Sequence, residues 1–421
     1  MRILHISTND ISSGAGKGAY ILHRALIKKG VESLMLVQDK FSDDCSVISF
    51  DNKKQKILAV FFNFFNSILV NFYKKRRNAL FSPSLFSFPW FLKKIKEINP
   101  DIIHLHWVNL GMVKISDLKK INKPIVWTLR DMWPFTGGCH YDENCGLYKE
   151  KCGNCKILNS SRKKDLSHFV WHKKNKVFSR LSNLTIVALS SWIKECAEKS
   201  SLFKDRKILL VPNAIDKNIF FPIDKVLARK VLDLPQNKKI ILFGAIDAIH
   251  DKRKGFEYLL QMIPDLKRMN YEIISFGSND YNKELEKKYK IRFFGYLNDN
   301  ISLRLLYNSA DVFIMPSIQD CFPKTPIESM SCGVPVVGFN LTGLRDVINH
   351  QKNGYLVNPF DLDDFMKGID WVVNNPDYDI ISSSVREKVS NEFDSEVVAN
   401  KNLDLYKKII NEKDINNNLH I

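Results

Sequence analysis

A strand-like run built on Ile3, Leu4 and Ile6 opens the chain, RILHIS at positions 2–7, followed by a polar, glycine-bearing stretch, TNDISSGAGKG. Apolar positions then recur at helical spacing in AYILHRALIKKG (19–30), before a second continuous run, SLMLV (33–37). Strand, glycine-rich turn, helix and strand in that order open a doubly wound parallel sheet. Its strands read as continuous apolar runs because helices cover both faces. Further runs at 101–107, 124–129 and 184–190 extend the pattern. The cycle pauses between Pro212 and Pro222 and restarts at 239–245, 271–278, 291–297, 311–317 and 335–339, with helices predicted at 255–267, 301–308 and 325–331. The fold class is therefore α/β. Two Rossmann-like doubly wound domains, 1–211 and 212–390, are expected to face a central cleft, with a last helix over 393–410 and a polar tail.

One segment departs from this rhythm. KILAVFFNFFNSILVNFYK (56–74) gathers Lys56, Asn63, Asn66, Ser67, Asn71 and Lys74 into one arc and leaves a broad apolar face, with KK at 53–54 and KKRR at 74–77 beside it. Such a helix either packs its apolar face on its own domain or lies in a membrane interface with its basic flanks on anionic lipid.

Composition narrows the class. The 421 residues are 45% hydrophobic and 26% charged, which is ordinary for a globular chain. The N-terminus lacks the pattern of a signal peptide, and no uncharged apolar run reaches the ~18 residues that span a bilayer. A cytoplasmic protein is expected, peripheral on the membrane if the 56–74 segment docks there. The net charge of +17 calls for an anionic partner, for which nucleic acid, acidic lipid and sugar nucleotides all qualify.

Three motifs carry chemistry. GAGKG (14–18) is not an ATPase phosphate loop, because Ile11 and Gly18 stand where that loop needs Gly and Ser or Thr. The turn at Gly14 and Gly16 still offers backbone amides and a helix start to an anion. HDKRKG (250–255) sets Lys252, Arg253 and Lys254 before a helix, a placement suited to a diphosphate. QDCFPKTPIESM (319–330) sets Asp320 and Glu328 at the two ends of a loop beyond a strand, where open α/β sheets bind ligands. Carboxylates there can each accept from paired sugar hydroxyls.

This last arrangement resembles the acid-x7-Glu motif of retaining glycosyltransferases of family 4, which have the two-domain GT-B fold. The resemblance continues through SCGVPVVGF, TGLRDVINHQKNGYLV and VPNAID, and so covers most of the chain. It implies that Asp320 lies against the transferred sugar and Glu328 binds the ribose of a nucleotide-diphosphate sugar. The backbone of Phe322, Pro323, Lys324 and Thr325 would meet the sugar, Arg253 and Lys254 would hold the diphosphate, and Gly14 and Gly16 would face the donor. No catalytic metal is implied. In this fold the C-terminal segment, 391–421, packs back on the N-terminal domain.

The first half, through DIIHLHWVN and VWTLRDMWPFTGGCHYDENCGLYKEKCGNC, resembles a branch of the family associated with bacterial surface polysaccharides such as colanic acid, capsule and O-antigen. The acceptor is then a glycan or lipid-linked glycan. Arg130 and Asp131 join Asp320 as catalytic candidates, although relatives usually carry His before Asp131. Arg130 in that place leaves open a direct phosphate contact or an altered donor. His104, His106 and Trp107 are candidates for the acceptor side of the cleft.

Cys139, Cys145, Cys152 and Cys155 crowd into an insertion at 136–158. They admit a structural zinc site, a redox or disulfide pair, or unlinked thiols, with His140 able to replace one ligand. An epimerase or phosphorylase of the same fold, and a basic zinc-containing nucleic-acid binder, are competing readings. The chain carries no recognised nucleic-acid motif, so nucleic acid is not expected as a partner.

Overall fold

The structure, a computed structural model, describes residues 1–247, 249–278, 283–297 and 299–418. They form two compact units, one of residues Met1–Pro212 with the chain from Val398 onward, the other of Asn213–Val397.

The first unit is built on a parallel sheet of seven strands in the order β3-β2-β1-β4-β5-β6-β7. These are β1 (Arg2–Asn9), β2 (Glu32–Asp39), β3 (Val47–Ile48), β4 (Ile102–Leu105), β5 (Ile125–Leu129), β6 (Leu184–Ala188) and β7 (Ile208–Leu210). Register pairs His5 with His104 across β1 and β4. The predicted run at 101–107 is a strand over Ile102–Leu105, and its backbone stays bonded to β1 beyond that, His106 N donating to Ile6 O at 2.9 Å and Thr8 N to Trp107 O at 2.7 Å.

The glycine-rich turn proves to be the first turn of a helix, Gly14–Lys28. Ser13 caps it, accepting from Gly16 N at 3.1 Å, a bond that contributes about 1 kcal/mol. Gly16 is required for packing, since a Cβ there would stand 2.7 Å from the carbonyl oxygens of Asn9 and Asp10, whereas Gly14 faces open space.

The second unit holds six parallel strands in the order β10-β9-β8-β11-β12-β13. They are β8 (Ile240–Gly244), β9 (Glu272–Phe276), β10 (Ile291–Phe293), β11 (Val312–Met315), β12 (Val336–Phe339) and β13 (Gly354–Val357). Ile241, Phe243, Ile273, Ile314, Val337 and Phe339 form one core with Leu259, Met262, Phe365 and Ile369 from the helices Phe256–Arg268 and Leu362–Val373. Counted from β8 this is the 3-2-1-4-5-6 winding of a dinucleotide-binding sheet.

Among the described residues no helix is long and apolar enough to cross a membrane. The last helix, Ser395–Asn418, contributes Tyr406 to the first unit's interior, where it is fully buried.

Candidate active site

Winding reverses between the first and fourth strands of a 3-2-1-4-5-6 sheet, and a crevice opens beyond the carboxyl ends of those two strands. In the second unit they are β8 and β11, and the loops that leave them are stitched together. Ile318 N donates to Arg253 O at 2.8 Å, and Arg253 Nη1 reaches Gln319 O at 3.5 Å. Gly255 sits at φ +76°, and a Cβ on it would lie 2.0 Å from Pro316 O, so glycine alone permits this approach.

The stitching yields an ion pair. Lys254 Nζ lies 2.6 Å from Asp320 Oδ2, with both side chains largely covered. Arg253 turns its Nη2 to Asp251 Oδ2 at 2.5 Å, and Lys252 is exposed. The backbone of Asp320 is held from the other side, its N–H donating to Thr342 Oγ1 at 3.2 Å and its carbonyl accepting from Gly343 N at 3.0 Å. A Cβ on Gly343 would meet Cys321 O at 2.0 Å.

The helix Lys324–Ser331 starts directly after this loop. Pro323 occupies its cap position and carries no N–H, so the first amides of the helix are those of Lys324 and Thr325. Glu328 follows on the same helix, buried, with Tyr307 Oη donating to its Oε2 at 2.8 Å and Lys324 Nζ standing 3.7 Å from Oε1. Burial, followed by the Glu328 charge, pushes the Tyr307 phenol well above its usual range, so it remains a donor. Phe322 turns its side chain into the protein. Its ring is buried against Phe393 and its carbonyl accepts from Asn213 Nδ2, which makes it the anchor of the loop.

The first unit's candidates gather at the carboxyl ends of β1, β4 and β5. His104 and His106 do lie on one face, their rings stacked with centroids 4.2 Å apart. They do not line an open surface, because both are buried and their ring nitrogens are engaged. His104 bonds Tyr406 Oη at 2.6 Å and Thr128 Oγ1 at 2.7 Å. Arg130 Nη2 donates to His106 Nδ1 at 3.0 Å. A neutral His106 therefore carries its proton on Nε2 and donates to His5 Nδ1, 2.9 Å away, which leaves the His5 proton on Nε2. Burial, then neighbouring groups including Arg130, hold His5 and His106 well below the usual histidine range and His104 at about 3.

Asp131 is buried and bonded through both carboxylate oxygens. Its Oδ2 accepts from His140 Nδ1 at 2.6 Å and Trp107 Nε1 at 2.8 Å, while Oδ1 accepts from Trp133 N at 2.9 Å. These bonds tie together the loop after β5, and the half-buried Arg130 stands beside it at the sheet edge.

The four cysteines are reduced, with Cys139, Cys152 and Cys155 buried. Among the described residues the one group of three or more potential ligands with donor atoms within 4.8 Å of one another is His5, His104 and His106. The sulfurs are not gathered to that distance. Cys139 and Cys155 pack with Val70, Phe81, Ile157 and Leu158, and Cys152 Sγ accepts from Gly137 N at 3.1 Å. Burial raises the Cys155 thiol to about 11 and Cys152 to about 12. As placed, the sulfurs are spread more widely than the donor atoms of a closed tetrahedral metal site. His140 stands apart from it, bonded to Asp131 and, through Nε2, to Ser82 Oγ at 2.9 Å.

Several residues central to this geometry carried no sequence signal. Tyr307 and Tyr406 are single aromatics within helices. Lys174 is fully buried, its ammonium bonded to the carbonyls of Trp133 and Thr136 and lowered to about 7 by burial.

Comparison with known proteins follows this division of the chain. Residues 12–219 match the family model described as Glycosyltransferase Family 4, and residues 237–375 match Glycosyl transferases group 1. The chain is 25% identical over 335 residues to an uncharacterised glycosyltransferase of Methanocaldococcus jannaschii, spanning 73% of this chain and 82% of that one. It is 24% identical over 243 residues to the UDP-Gal:alpha-D-GlcNAc-diphosphoundecaprenol alpha-1,3-galactosyltransferase of Escherichia coli, spanning 55% of this chain and 62% of that one. In fold it is similar to sucrose-phosphate synthase from Thermosynechococcus elongatus, with a TM-score of 0.68 at 17% identity, covering 98% of this chain and all of that one.

Proposed function

We propose that this chain, which belongs to glycosyltransferase family 4, moves a sugar from a nucleotide-diphosphate donor to a growing, lipid-linked bacterial surface glycan with its anomeric configuration retained. The observation that carries the donor half is the Lys254–Asp320 ion pair at the β8–β11 winding reversal. Lys254 and Arg253 supply charge where a diphosphate leaves, and an electrostatic brace of this kind acts most strongly as the leaving charge develops. Asp320 accepts from hydroxyls of the sugar once Lys254 has turned to phosphate. The first amides of the 324–331 helix meet the sugar or phosphate oxygens. Glu328, held still by Tyr307, accepts from the ribose hydroxyls. The acceptor class is supported by the Escherichia coli relative, whose name gives a UDP-sugar donor and a diphosphoundecaprenol-linked acceptor.

The test is product analysis by NMR with a sugar nucleotide and a diphosphate-lipid-linked sugar acceptor. Transfer with the donor's anomeric configuration kept in the new linkage is the expected result. Inverted product would overturn retention, and conversion of donor to an epimer without acceptor would make the chain an isomerase.

A further inference from the structure

The helix Lys53–Asn71 is turned inside out for one that serves only its own domain. Its inward side carries Ala59, Asn66 and Val70. Asn66 is the anchor, with Nδ2 donating to Phe86 O at 2.8 Å and Oδ1 accepting from Leu85 N at 2.9 Å and Phe86 N at 3.2 Å. The outward side carries Ile57, Val60, Phe61 and Phe64, each between 52% and 67% exposed, and Phe72 follows at 76%. Positions 57, 60, 61 and 64 form one stripe at helical spacing, and Phe65, in ring contact with Phe86, widens it. A contiguous apolar face of this kind marks an interaction surface.

Charge at the two ends identifies the partner. Lys53, Lys54 and Lys56 are exposed in the first turn, and Lys74, Lys75, Arg76 and Arg77 are exposed just past the last. Cations at a helix N-terminus oppose its own dipole, so local helix stability does not explain them. A second copy of the chain is disfavoured on the same ground, because with both ends basic two such helices repel in either orientation.

We propose that this helix lies in the interface of a bilayer that contains anionic lipid, its phenylalanines among the acyl chains and its basic ends on the headgroups. The energetics fit, since apolar burial and headgroup attraction together hold a helix in the interface where neither suffices alone. Docking also positions what lies behind the helix. A cavity of 190 Å³ there is lined by Asn63, Asn66, Asn71, Arg76 and Ser84, so polar groups and a cation come to the headgroup layer. Use of that cavity by a lipid-linked acceptor rests on the transferase reading, whereas the docking itself does not.

Co-sedimentation with vesicles of phosphatidylcholine alone and of phosphatidylcholine with phosphatidylglycerol tests the proposal without any substrate. The wild-type chain is expected to bind the anionic vesicles and to fall away in salt. The double substitution Phe61→Glu, Phe64→Glu should abolish binding, and Lys74→Glu, Lys75→Glu should weaken it roughly thirty-fold or more. Both pairs are solvent-exposed, and an unchanged thermal midpoint shows that the variants fold. Equal binding by wild type and the phenylalanine variant, or no wild-type binding to anionic vesicles, would overturn the proposal. A wild-type dimer that the phenylalanine variant dissolves, with vesicles ignored, would do so too and assign the face to self-association. Donor-induced stabilisation, measured alongside, reports on the transferase reading separately.

Discussion

Lys254 and Asp320 neutralise each other across 2.6 Å, so the cation that suits a diphosphate and the carboxylate that suits a sugar guard one another in the ligand-free chain. On the proposed reading, donor binding parts them, and part of the affinity for phosphate is spent in doing so. Lys254→Ala should therefore cost more in turnover than in affinity. Loss of an electrostatic brace of this kind lowers kcat by about a hundredfold or more. Steady-state kinetics should show that fall, with Lys254→Arg recovering much of it; an equal loss in both variants would mean that the position matters only for packing.

Tyr307 tests Glu328 without touching it. Tyr307→Phe removes the hydrogen bond to Oε2 while keeping the ring, so stability should fall by only about 1 kcal/mol. Affinity for the nucleotide should weaken as Glu328 loses its anchor, and isothermal titration against urea unfolding separates the two effects.

Gly343→Ala should disable the donor site from outside it. The added methyl would stand 2.0 Å from Cys321 O and 3.1 Å from Asp320 O, so the loop that carries the acid must shift. Donor-dependent stabilisation is expected to vanish, while a neighbouring change at the exposed Arg345 has no such effect.

The histidine cluster gives the chain an acid-sensitive interior. His5, His104 and His106 are held neutral in the folded state, whereas each takes up a proton near 6.5 when unfolded. The unfolded state thus binds more protons as pH falls below about 6.5, and stability drops in that window. Each histidine removes up to about 2 kcal/mol between pH 6.5 and 5. Urea midpoints should fall accordingly, and His104→Gln should show a shallower dependence on pH.

The two sheets were readable in the sequence because parallel strands buried on both faces leave continuous apolar runs. The short outer strand Val47–Ile48 left none, being too brief to outweigh its polar neighbours. In the site, Asp320, Glu328 and the 253–254 pair follow from local motif order, and the fold brings Lys254 to Asp320 as that order implies. Phe322 and His104 fit the same motifs, but their burial could not be foreseen, because their partners lie far off in sequence, Tyr406 being 302 residues from His104. In the 53–71 helix the arc of polar residues left two readings open, and the structure turns Asn66 inward and Phe61 and Phe64 outward.

The most direct measurement is thermal unfolding of the wild-type chain and Glu328→Ala against UDP-, GDP-, ADP- and CDP-sugars. A ligand that binds only the folded state raises the midpoint by mass action. One nucleotide family should raise the wild-type midpoint and leave the variant unmoved, which would also name the base. No shift with any sugar nucleotide, under conditions where a known transferase responds, would contradict a donor site between Lys254 and Glu328.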